Sequence, residues 1–156
     1  MSDDTPEAPT LAEQKLAVTR VFDAPREQVW QAWTDPALIS KWWGPNGFEV
    51  PVSTIVLEPT TGGKFSLSMH SEEHGIDVPM DAHFIEVVQG ERIVYTEPEP
   101  CLPEIKTVVG VVTFTDVDGK TEVGFDVSMQ TSDQIRELSE SGWAESFDRL
   151  AAVLAA

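Results

Sequence analysis

From Ser132 to Ala156 the apolar residues recur at steps of three and four: Ile135, Leu138, Trp143, Phe147, Leu150, Val153 and Leu154. This is the period of an α-helix with one broad buried stripe. Ser132 offers an N-cap, and Asp133 puts a negative charge where the helix dipole favours it. Such a helix spans about 30 Å at 1.5 Å per residue. Its apolar face has to be covered, and the upstream segments are the partners at hand.

Those upstream segments alternate instead. Phe65, Leu67 and Met69 interleave with Lys64, Ser66 and Ser68, and Val123, Phe125, Val127 and Met129 with Gly124, Asp126 and Ser128. A period of two marks strands with one buried face. The pattern predicts strands at Leu16–Phe22, Glu49–Leu57, Lys64–Ser71, Pro79–Val88, Arg92–Glu97, Lys106–Asp116 and Glu122–Gln130. Glycine-bearing turns such as Gly62-Gly63, Gly75, Gln89-Gly90 and Asp118-Gly119 separate them, and such short links make the sheet antiparallel. Glu97–Pro103 is the one long irregular connection late in the chain.

Between the first two strands lie two short helices. Asp23 is expected to cap the first, with Pro25 in its opening turn and Val29, Trp30 and Trp33 inward. Asp35-Pro36 starts the second, which buries Leu38, Ile39, Trp42 and Trp43 before Gly44-Pro45 stops it. Residues 1–13 carry no periodicity and read as a flexible acidic tail before one domain over 14–156. The fold class is therefore α+β: a curved seven-stranded antiparallel sheet around a long C-terminal helix, with two short helices at one end.

Charge narrows the partners. The net charge is −17, with 27 acidic against 10 basic residues and no basic cluster. That balance excludes nucleic acid and anionic lipid surfaces as partners, and no apolar run is long enough for membrane insertion. The acidic N-terminus has no signal-peptide pattern, and the single Cys101 forms no internal disulfide, so the expected location is cytoplasmic. Cys101 has no basic neighbour in sequence and reads as a free loop thiol.

Catalytic and metal motifs are sparse. No Walker loop, dinucleotide glycine pattern or nucleophile elbow is present. His70 and His74 flank a hairpin turn. His83 lies on the next strand, where it and His70 could meet across the ladder. Two imidazoles without a third strong ligand make no zinc centre, so no metal and no cofactor are expected. Candidate acids and bases are His70, His83, Asp81, Glu86 and Asp126, with Arg20, Arg92 and Tyr95 as donors.

Longer motifs carry a resemblance. Val18-Thr19-Arg20-Val21-Phe22-Asp23-Ala24-Pro25 leads into Val29-Trp30-Gln31-Ala32-Trp33 and then Trp42-Trp43-Gly44-Pro45. Gly62-Gly63-Lys64-Phe65, Glu91-Arg92-Ile93-Val94-Tyr95-Thr96 and Gly142-Trp143-Ala144-Glu145-Ser146-Phe147-Asp148-Arg149-Leu150 follow. From about Leu16 onward the chain resembles the START-like superfamily, and within it the family named for the activator of the ninety-kilodalton heat-shock protein ATPase. The resemblance implies a helix-grip fold with a cavity between sheet and last helix. Trp42, Trp43, Phe48, Phe65, Met69, His83, Tyr95, Phe114, Trp143 and Phe147 are the expected ligand-binding residues. Three readings stand open: binding of a small hydrophobic molecule, a cyclase or hydrolase using the same cavity, or an interaction module regulating a chaperone. Homodimerisation through the outer sheet face is open as well.

Overall fold

A computed structural model describes residues 12–156. Seven strands and three α-helices follow in the expected order: β1 (Ala12–Phe22), α1 (Arg26–Thr34), α2 (Pro36–Trp42), β2 (Val56–Leu57), β3 (Lys64–Ser71), β4 (Ile76–Val88), β5 (Arg92–Glu97), β6 (Lys106–Val117), β7 (Lys120–Thr131) and α3 (Asp133–Ala155). The strands form one antiparallel sheet in the order β1-β7-β6-β5-β4-β3-β2. Strands β2 to β7 form a simple meander, and β1 is added beside β7. No helix among the described residues is long and apolar enough to cross a membrane.

The expected tail falls mostly outside the described residues, but Ala12 and Glu13 already pair with Thr131 and Gln130. The strand expected over Glu49–Leu57 is broken. Glu49 makes a lone bridge to His70, Val52–Thr54 is a single tight helical turn after Pro51, and only Val56 and Leu57 join the ladder. Proline has no N–H to give a sheet, so pairing lapses there. Asp23 does not cap α1; Pro25 holds that position without a side-chain bond. Asp35 does cap α2, accepting from Ala37 N–H, and Ser132 caps α3 by accepting from Ile135 N–H.

The core is aromatic. Trp33, 2% exposed, has ring centroids of Trp42, Trp43, Phe114, Phe125 and Phe147 within 4.7–6.2 Å. Edge-to-face pairs of this kind add to area burial. Its Nε1–H has no partner. Trp42, fully buried, donates Nε1–H to Ala32 C=O at 2.8 Å. In a continuing helix that carbonyl would accept from residue 36, which here is proline. The indole therefore supplies the donor that Pro36 lacks.

The last helix is buried unevenly. Its inward residues Ser146, Phe147, Leu150 and Leu154 all lie in the second half. Leu138, expected on the buried stripe, is 61% exposed. The first half of α3 thus stands away from the sheet, with Trp143 half-buried at the transition.

Candidate functional site

Under that raised half of α3 lies a pocket of about 180 Å³. Its floor is the sheet: Met80 of β4, Tyr95 and Glu97 of β5, Val108 of β6, and Val127 and Met129 of β7. Trp43 and Trp143 form the inner wall, with centroids 4.9 Å apart and planes at 87°. Ser139 looks down from α3, and the loop residues Pro100, Cys101, Leu102 and Ile105 close the side. That loop is tied down where Thr131 Oγ1 donates to Glu104 C=O at 2.7 Å.

Of the expected ligand-binding residues, Trp43, Met69, Tyr95 and Trp143 line this pocket. Trp42, Phe65, Phe114 and Phe147 are buried elsewhere in the core. Phe48 sits in a separate, polar notch with Glu49, Glu72, Glu73 and Arg149. His83 is corrected outright: it is exposed on the outer face of β4, between the inward Ala82 and Phe84, and pairs with Lys64. His70 instead pairs with Asp77, its Nδ1 2.8 Å from Oδ1. The two histidines lie six rungs apart, about 20 Å along the ladder, and do not meet. Sequence reasoning missed Glu97, Ser139 and the 100–105 loop, since irregular backbone gives no periodic signal.

Three groups of the pocket are displaced from ordinary titration. Burial and the nearby Glu97 carboxylate raise the Tyr95 pKa far above the usual tyrosine value, so its hydroxyl stays a neutral donor. Burial raises Glu97 as well; the N–H of Asp81 donating to it at 3.1 Å opposes that, and the Asp81 carboxylate adds to it. The Cys101 thiol is exposed at the rim and pushed up by partial burial and by Glu97, which makes it a poor nucleophile.

Tyr95 lies across Gly110, its register partner on β6. A Cβ added there would stand 2.4 Å from the Tyr95 ring. Gly110→Ala is therefore expected to push the ring into the pocket and cost about 1–3 kcal/mol. Urea melts and the solvent exposure of Tyr95 measure this; an unchanged melt with an unmoved ring contradicts it.

The Gly142–Leu150 motif docks the loop after α2. Pro45 packs beside Gly142, and Trp143 meets Trp43 edge-on. Glu145 accepts the Asn46 N–H at 2.9 Å. One turn on, Arg149 donates to the carbonyls of Gly44 at 2.8 Å and Phe48 at 3.1 Å, with longer contacts to Lys41, Trp43 and Pro45. Desolvation lowers the Arg149 pKa, with Glu49 acting the other way. These motif residues position Trp43 and Trp143; their role is architectural.

Known structures share this fold. A Chromobacterium violaceum protein superposes with a TM-score of 0.80 at 25% identity, covering 90% of this chain and 96% of that one. An Arthrobacter aurescens protein gives 0.79 at 20% identity, covering 90% and 86%. The AHSA1 protein of Silicibacter pomeroyi gives 0.77 at 23% identity, covering 91% and 98%. At such identities the last two speak for the fold alone. No curated protein matches. The family model described as Activator of Hsp90 ATPase homolog 1-like protein matches residues 23–155, and the chain belongs to that family.

Proposed function

We propose that the protein binds a small, mainly apolar molecule in the pocket beneath the first half of α3. The observation that carries this reading is a pocket of about 180 Å³ walled by Trp43, Trp143, Tyr95 and three methionines. A cavity of about 150 Å³ is enough to hold benzene, so a single-ring body fits. Met69, Met80 and Met129 are three of the chain's four methionines. Their unbranched side chains let the walls adapt to the bound shape. No histidine lines the pocket, and its polar groups suit orientation of a ligand better than proton transfer. The lone Cys101 thiol fits a reducing cytoplasm.

The test uses 2-phenylethanol as probe, followed through the indole N–H resonances of Trp43 and Trp143. Binding should be saturable. Ser139→Phe, which fills the pocket from the helix side, should weaken it at least about tenfold. No saturable shift, or the same affinity in the filled variant, rejects the pocket as a binding site.

A further inference from the structure

The polar end of the pocket has a definite sign. Among the pocket-lining residues the only group able to carry charge at neutral pH is Glu97; no lysine, arginine or histidine lines the pocket. Glu97 Oε2 takes the Asp81 N–H, and no ion pair to Glu97 occurs among the described residues. The carboxylate therefore sits half-buried beside a second acid with no cation against it. Burial raises its pKa, the Asp81 N–H opposes this, and the Asp81 carboxylate adds a smaller upward push, as for a carboxylate with no counter-charge beside it.

The walls point the same way. Trp43 and Trp143 meet at 87°, forming an aromatic corner, and Tyr95 adds a third ring. Ring faces are negative in their quadrupole and attract cations, tryptophan most strongly. Thioether sulfurs from the three methionines are polarizable and carry no positive charge. At −17, the whole molecule draws cations towards its surface.

We propose that this pocket selects ligands with a cationic head, an organic ammonium on a one-ring apolar body, over neutral or carboxylate analogues. The ammonium contacts Glu97 and the ring faces, and the apolar body fills the space among Met80, Val127 and Met129. A ligand carboxylate would meet Glu97 with like charge in a partly desolvated site, which is unfavourable. The inference rests on the binding reading above and adds the chemical class.

The experiment compares phenethylammonium, 2-phenylethanol and phenylacetate at pH 7 by titration calorimetry. High salt suppresses the general attraction of an acidic surface. The ammonium should bind at least about tenfold tighter than the alcohol, and phenylacetate weakest. Glu97→Gln should abolish the preference, bringing the ammonium down to the level at which the same variant binds the alcohol. Asp126→Asn, which removes one exposed charge on β7, should leave all three unchanged. Binding of the alcohol with no preference for the ammonium, or a preference that survives Glu97→Gln, overturns the cationic class alone. Failure of all three probes to bind overturns the pocket reading with it.

Discussion

Trp42→Phe is expected to destabilise the domain by about 2–4 kcal/mol, more than Trp33→Phe, although Trp33 touches more of the core's aromatic rings. The difference lies in one hydrogen bond. Removing the Trp42 indole N–H strands the Ala32 carbonyl, because Pro36 has no donor to offer in its place. A buried acceptor left unpaired costs about 1–3 kcal/mol, and the lost ring volume adds to it. Trp33→Phe loses volume too, but it also removes an N–H that has no partner in the fold, so about 1–2 kcal/mol is expected. Urea unfolding of both variants, read from the midpoint and slope, makes the comparison. Equal losses would mean that the Trp42–Ala32 bond contributes nothing beyond packing.

Arg149→Met should cost about 2–4 kcal/mol, on the scale of a charge-assisted bond cluster lost from a part-buried site. The guanidinium gathers the carbonyls at the end of α2 and along the following loop, which no backbone donor of the helix reaches. Arg149→Lys should recover less than half, because an ammonium has the charge without the planar fork. The same variants should loosen Trp43, detected as faster exchange of its indole N–H. Full recovery by lysine would reduce the role of Arg149 to charge alone.

Much of this architecture was legible in the chain. Strands β3 and β5 carry their expected bounds: in β3 alternation runs between glycine turns, and β5 is a short apolar run, Ile93-Val94-Tyr95, opened by Gly90 and closed before Pro98. The long helix was equally plain, since Ser132 and the three-and-four spacing agree. The failures have physical causes. Val50, Val52 and Ile55 look like a strand, but Pro51 removes a ladder donor in their midst. Leu138 fits the three-and-four step from Ile135, yet it stands nine residues before Phe147, about half a turn round the helix, and so points away from the buried face.

The site was less legible for a related reason. Trp43 and Trp143 stood out as tryptophans in the two motifs Trp42-Trp43-Gly44-Pro45 and Gly142–Leu150, whereas Phe114 and Phe147 are of the same chemical kind and belong to the core. Composition does not separate the two roles; only the distance from the raised half of α3 does. His83 was misplaced by one step of register, since its neighbours Ala82 and Phe84 take the inward positions. Glu97 closes β5 at the mouth of an irregular loop, where nothing in the pattern marks a side chain as inward.

The placement of β1 beside β7 bears on how the protein is made. Ala12 pairs with Thr131, so β1 leaves the ribosome long before β7, the strand it pairs with. The meander from β2 to β7 can assemble hairpin by hairpin as it emerges, but β1 stays unpartnered until β7 has been synthesised. Closing so long a loop is slow, and an exposed strand is prone to join the wrong partner meanwhile. Glu13, Lys15 and Arg20 put charge along that waiting strand, which keeps it in solution until β7 arrives.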